Sequence, residues 1–438
     1  MIGRLEVELF GQSVGTLEIS GPLRSPEDWF FTYHDDYVRS GAPALSVTLP
    51  VRAEAWTGAV VRNWFCNLLP EGAVRQAIVQ RLRLPHDDDF SLLAAIGGEC
   101  AGAVSLRVPG ASVDVVDEDE TDLEAVLFLQ GDEGGEGSWA LAGTPVRLSL
   151  AGAQDKLAVV VETDGRLRLP HRGEPSTHIL KPDSHRFRGL RDAEALGLAL
   201  ARDLGLDAAS SRLVVVLDRP ALLIERYDRV RTADGTMQRL HQEDFCQALG
   251  YPDGLKYEAG GGPGLAACSA LVRKLALGPA AVQGLLDWVV FNVLIGNADA
   301  HAKNLSLLCN RDGQRRLAPL YDLVPTVYLP ESLVERTPAM RIGDATRIDR
   351  VSADDWAAFA AAAGYRKPYV LGRVRALADA VLGRLADVGA GIVEQGGDPQ
   401  RVERVMAAIA GNARPHASSP PRGRGGYQIR SSGTSNLA

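Results

Sequence analysis

The sequence predicts an α+β chain in two lobes, sheet first and helices second, with a smaller α/β module ahead of both. Three observations carry that expectation. Strand signals crowd residues 146–230, helical patterning dominates 241–411, and a tight polar cluster interrupts the helical half directly after its most apolar run.

In chain order, residues 1–108 read as the α/β module. Strands are expected at 4–10, 14–19 and 45–49, where apolar and polar residues alternate, and helices at about 57–69 and 72–82. Residues 109–145 are acid-rich and end in a Gly/acid loop, the pattern of a solvated connector. In 146–230, strands are expected at 146–150, 156–162, 177–181, 213–217 and 221–225, with one helix at 191–204 stopped by Gly205. Residues 231–411 form the helical lobe, in which Glu243 and Asp244 suit the first turn of a helix. The segment 412–438, rich in Pro, Gly and Ser and without acids, reads as a disordered basic tail.

The polar cluster is Asn297-Ala-Asp-Ala-His-Ala-Lys-Asn304, and it follows the apolar run 285–295. Asp299 and Asn304 have the spacing of the catalytic-loop Asp and Asn of protein kinases. Asn310-Arg-Asp-Gly313 is a turn signal between two short apolar runs, so a hairpin there returns Asp322 to the side of Asn304. Asp299 then suits a general base, and Asn304 and Asp322 suit oxygen ligands of a magnesium ion that keeps positions for phosphate oxygens. His301 and Lys303 lie in the same loop, where Lys303 could reach a γ-phosphate or both could brace the loop.

Phosphoryl transfer also needs a cation on the nucleotide, steadied by a carboxylate. Thr177-His-Ile-Leu-Lys181 ends a strand in Lys181, and the following helix carries Glu194. Upstream, Ser149-Leu-Ala-Gly-Ala-Gln-Asp-Lys156 offers backbone N–H groups around Ala151, Gly152, Ala153 and Gln154, with Lys156 adding charge. It is neither a Walker motif nor Gly-x-Gly-x-x-Gly. Glu225-Arg-Tyr-Asp-Arg229 closes the last strand before the helical half, where Glu225 and Tyr227 could border an adenine; a salt-bridged strand end is the competing reading.

Composition sets the remaining bounds. The chain has 438 residues, 46% hydrophobic, with a net charge of −8, which argues against a nucleic-acid coat or membrane-surface binder. Five scattered cysteines without a Cys-x-x-Cys pair suggest reduced thiols and a cytoplasmic protein. The N-terminus lacks a signal-peptide core, and the longest apolar run reads as too short for a membrane span.

Taken together, the blocks 149–156, 178–181, 225–229, 242–247, 297–304 and 321–322 resemble the HipA family, kinase toxins of type II toxin–antitoxin modules, and Asn67-Leu-Leu-Pro-Glu-Gly72 with Arg75 resembles that family's N-terminal signature. The resemblance implies a two-lobed protein-kinase-like fold and a serine/threonine protein kinase using ATP and Mg2+. It implies Asp299 as base, Asn304 and Asp322 as metal ligands, Lys181 on the phosphates and the 150–156 loop over them. It also implies Ser149 as a self-phosphorylated regulatory site, a helix-turn-helix antitoxin of the HipB type as partner and link to DNA, and glutamyl-tRNA synthetase as a target. A small-molecule kinase of similar fold, or a non-catalytic co-repressor partner, are the alternatives.

Overall fold

The computed structural model describes residues 2–21, 25–110, 156–171, 173–183, 188–216 and 218–418. The expected connector from 111 onward, the expected strand at 146–150, and Ser149, Ala151, Gly152, Ala153 and Gln154 lie outside the described residues.

Strands β1 (Ile2–Leu9), β2 (Gln12–Ser20), β3 (Trp29–Tyr33), β4 (Trp56–Thr57) and β5 (Val104–Arg107) form an antiparallel sheet in the order β4-β3-β2-β1-β5. Helices Ala59–Cys66, Gly72–Leu82 and Asp89–Ile96 pack on it and close a core of their own around Val7, Leu17, Phe31, Phe65 and Leu93. Residues 45–49, expected as a strand, form none. Their backbone is spent on side chains instead: Leu45 N–H donates to Tyr33 Oη (2.8 Å), the Leu45 carbonyl pairs with His241 Nε2 (2.7 Å), and Val47 N–H donates to Glu243 Oε1 (3.1 Å). With those groups taken, no ladder can form.

The second sheet holds β6 (Leu157–Val161), β7 (Leu167–Arg168), β8 (His178–Pro182), β9 (Ser211–Val216) and β10 (Arg219–Glu225) in the order β7-β6-β8-β10-β9. Lys181 pairs with Leu222 across β8 and β10, so its side chain is placed by a central ladder. Helix Leu190–Asp203 buries ten of its residues against β9, β10 and the helical lobe, and stops at Gly205 in the left-handed region (φ 75°).

A short ribbon of β11 (Arg229–Arg231) and β12 (Met237–Arg239) leads into the helical lobe. The lobe is built around helix Gly278–Ile295, which is apolar on all sides because it is its core. This helix is long and apolar enough to cross a membrane, but twelve of its side chains are buried inside the protein. Gly296 ends it with φ 71°, turning the chain into the polar cluster. Here the structure corrects two expectations. Glu243 and Asp244 belong to β13 (His241–Asp244), which pairs with β14 (Ser306–Cys309) and then β15 (Arg315–Leu317). The helix starts only at Phe245, with Asp244 as its N-cap in a capping box with Gln247. Residues 412–418, expected in the tail, are built into the lobe: helix Pro399–Ala413 is followed by a turn at Arg414–His416, and Asn412 Nδ2 donates to the Leu294 carbonyl (3.3 Å) in the core, while 419–438 lie outside the described residues.

Candidate active site

One cavity of about 770 Å3 opens where the second sheet, the helical lobe and the N-terminal module meet. Lys156, Lys181, Glu225, Tyr227, Asp299, His301, Lys303, Asn304 and Asp322 all line it. Sequence positions from 156 to 322 therefore converge on one space.

Its centre is a three-residue knot. Lys181 Nζ lies 2.7 Å from Glu194 Oε1 and 3.1 Å from Asp322 Oδ1. Burial works against the Lys181 charge, but Asp322 and Glu194 outweigh it and hold the ammonium above the usual lysine range. Burial would likewise raise Asp322, yet Lys181 and then Lys156 keep its carboxyl below the usual range. Glu194 is fully buried, and burial pushes its carboxyl upward against the pull of Lys181. Lys156, brought down to about 8 by burial and then by Lys181, adds a second cation to the same wall.

Two backbone features bring the knot together. Gly197, one turn after Glu194, has no side chain because the Leu323 carbonyl occupies its place: a Cβ there would lie 2.0 Å from Leu323 O. Asp322 itself is held at φ 57°, a left-handed conformation that costs a non-glycine residue about 1–3 kcal/mol. Asn297 Nδ2 donates to the Asp322 carbonyl (3.3 Å) and to Asn292 Oδ1 (2.8 Å), pinning that turn to the core helix.

The polar loop supplies the other wall. Asp299 is exposed in the cavity; its N–H donates to Asn297 Oδ1 (3.2 Å) and its Oδ1 accepts from Tyr257 Oη (2.8 Å). Asn304 Nδ2 donates to the Asp299 carbonyl (3.3 Å), which fixes the distance between the two. The expected hairpin is present, with Asn310 N–H bonded to Gln314 O and Gly313 at φ 77°, and it returns Tyr321 so that its hydroxyl donates to the Lys303 carbonyl (2.5 Å). His301 is buried against the edge of Tyr257 (5.6 Å), and burial lowers its pKa.

The strand-end block 225–229 divides in two. Glu225 and Tyr227 face the cavity, and Tyr227 packs against Tyr321 at 5.5 Å. Arg226, Asp228 and Arg229 are buried and hold the N-terminal module: Arg226 donates to Asp228 and to Glu99 (3.3 Å), Arg229 Nη1 to the Gly102 carbonyl (3.0 Å), and Asp228 Oδ2 accepts from Gly102 N–H (2.6 Å). The salt-bridged strand end and the cavity border thus coexist, since Arg226 and Asp228 line the cavity beside Glu225 and Tyr227 while holding the module.

Sequence reasoning missed Glu71, Lys256, Tyr257 and the role of Asn297. Glu71 Oε1 lies 2.8 Å from Lys303 Nζ and its Oε2 accepts from Lys256 Nζ (2.9 Å). The Asn67–Gly72 signature was the available signal, but nothing local ties it to a loop more than two hundred residues away.

The donor set suits magnesium. Among the described residues no three His, Cys, Asp or Glu side chains form a ligand cluster. Asp322 and Asn304 offer hard oxygens on an open cavity wall, and a cation that keeps its waters and takes phosphate oxygens fits that arrangement.

The chain matches the HipA N-terminal domain family over residues 5–107 and the HipA-like C-terminal domain family over residues 148–385, more than half its length. The chain belongs to the HipA family. Similar proteins include the kinase-named Y4mE protein of Sinorhizobium fredii, 40% identical over 84% of this chain and 89% of that one. The serine/threonine-protein kinase toxin HipA of Shewanella oneidensis is 30% identical over 88% of this chain and 89% of the relative. The solved complex of Shewanella oneidensis HipA, HipB and operator DNA contains a chain that superposes with a TM-score of 0.78 at 26% identity, covering 94% of this chain and 97% of that one. The fold is therefore the two-lobed, kinase-like α+β fold of HipA, and the chain is a HipA-like kinase.

Proposed function

We propose that the chain is an ATP- and Mg2+-dependent serine/threonine protein kinase that serves as the toxin of a type II toxin–antitoxin module. The observation that carries this reading is the Lys181 ammonium held between Glu194 and Asp322 in the cavity that also exposes Asp299. A buried cation fixed by two carboxylates and facing a large opening is poised for a polyphosphate.

In this reading Asp299 orients an incoming Ser or Thr hydroxyl and receives its proton, about 3 Å away in the productive complex. Asn304 and Asp322 would hold magnesium, which would supply charge neutralisation to the phosphates. Lys181 binds the phosphates, Glu194 keeps it aimed, and Lys156 with the 150–155 loop covers them. Lys303 takes the γ-phosphate side of the loop, and His301 braces it. Glu225 and Tyr227 border the adenine. Ser149 is a regulatory site whose phosphorylation displaces the phosphate-covering loop. The protein works in the cytoplasm, its partner is a HipB-type helix-turn-helix antitoxin that supplies the DNA contact, and its target is a translation component such as glutamyl-tRNA synthetase.

Incubating the protein with labelled ATP, Mg2+ and a cell lysate tests this. A discrete labelled protein band, reproduced with purified glutamyl-tRNA synthetase, is expected. Label only in small molecules would make it a small-molecule kinase, and no transfer at all would leave the co-repressor role.

A further inference from the structure

We propose that Glu71, delivered by the N-terminal module, is a positioning residue of the phosphoryl-transfer site and acts through Lys303 of the polar loop. The inference rests on the kinase reading above and adds a part to it.

Glu71 stands at the N-cap of helix Gly72–Leu82, where a carboxylate would ordinarily accept from its own helix. It makes no such bond. Its carboxylate points into the cavity and bridges two cations of the other lobe, Lys303 at 2.8 Å and Lys256 at 2.9 Å. Burial opposes its charge, but Lys303 and then Lys256 bring it down to about 2, so it is a fixed anion at any working pH.

The support behind Glu71 is rigid. Asn67 Nδ2 donates to the Tyr251 carbonyl (2.9 Å), and Arg75 pairs with Asp89 and lies 3.7 Å from Asp253. The turn 67–72 is thus wedged onto the lobe whose loop it steadies. On the other side, Lys303 is buried and sits between His301 and Asn304. Its buried ammonium lies 2.8 Å from Glu71, a contact that occupies at most one of its three N–H donors; among the described residues no further partner for it is seen, and the residue lines the cavity. An ammonium held by charge while its donors stay available is suited to meeting a phosphoryl oxygen. Lys256 precedes Tyr257, the donor to Asp299, so the same carboxylate also steadies the residue next to the proposed base.

A simple tether between modules is the competing role, and the two separate in kinetics. Removing the charge with Glu71→Gln deletes an anion from the cavity wall and frees Lys303. In the full chain we expect the initial rate of label transfer from ATP into lysate protein to fall at least about tenfold. Affinity for a fluorescent MgATP analogue should hold or tighten by roughly threefold, because the cavity becomes more positive. Lys303→Gln should give the same rate loss, and the double variant should be no slower than Lys303→Gln alone. A rate within twofold of the parent, or losses that multiply in the double variant, would overturn the proposal. So would weakened nucleotide affinity together with a lowered melting point, the mark of a tether. If Glu71→Gln does not fold, Glu71→Asp keeps the charge but shortens its reach; it should be slower than the parent, and an unchanged rate would overturn the proposal. An inactive parent chain would count against the kinase reading alone, and nucleotide affinity would then decide between unchanged or tighter, as proposed, and weaker.

Discussion

Replacing Gly197 with Ala probes the geometry that assembles the site without touching any proposed functional group. The new Cβ would meet Leu323 O at 2.0 Å, where ordinary contact begins at 3.4 Å, so helix Leu190–Asp203 and the Asp322–Leu323 backbone must separate by about 1.4 Å. Glu194 lies one turn away on that helix, and adding the displacement to its 2.7 Å bond puts it about 4 Å from Lys181, outside hydrogen-bond reach. Overpacking of this kind costs about 1–3 kcal/mol of stability. Loss of Lys181 alignment should lower transfer at least tenfold, equivalent to about 1.4 kcal/mol of barrier. Gly372, in helix Lys367–Glu394 with open space around its Cβ position, is the control, and Gly372→Ala should leave activity unchanged while stabilising by up to about 1 kcal/mol. The assay is the initial rate of phosphate transfer alongside thermal unfolding of both variants. A Gly197→Ala protein with transfer within twofold of the parent would show that the close approach does not aim Lys181.

Two further outcomes follow from the charges. His241 is buried, and its pKa is brought down to about 4 by burial, against an ordinary 6.5. The unfolded chain therefore binds a proton that the folded chain refuses, so this stability is present above pH 6.5 and lost as pH falls toward 4, by about 3 kcal/mol in full. Urea titrations at pH 7 and pH 5 should show a smaller drop for His241→Gln than for the parent; equal drops would remove His241 as the cause. Asp322→Asn should weaken Mg2+-dependent nucleotide binding by about tenfold or more, measured by titration with and without the metal, and an unaltered metal dependence would take Asp322 out of that role.

Much of this architecture is legible in the sequence where local pattern and tertiary demand agree. Helix Gly72–Leu82 and strands β6, β8 and β10 lie where periodicity puts them, because each is buried on the face its apolar residues define. The catalytic-loop spacing and the return hairpin are likewise local features, so the convergence of Asp299, Asn304 and Asp322 could be expected. The misreadings share one cause, which is long-range partners. Leu45-Ser-Val-Thr-Leu49 alternates like a strand, yet its backbone serves His241 and Glu243, nearly two hundred residues away. Glu243 looks like a helix-start acid, but it accepts from Ser46 (2.6 Å) and Val47 instead. Glu71 is invisible as a site residue for the same reason, since only the docking of the N-terminal module brings it to Lys303. The backbone at Asp322, left-handed without being glycine, leaves no mark in the sequence at all.

In the proposed mechanism Asp299 handles the acceptor proton while the nucleotide is held elsewhere. Asp299→Asn, which keeps the side chain's size, should be measured for both phosphate transfer and MgATP affinity. Transfer reduced by about 100-fold or more, with affinity within roughly threefold of the parent, is the predicted result. Undiminished transfer would contradict it.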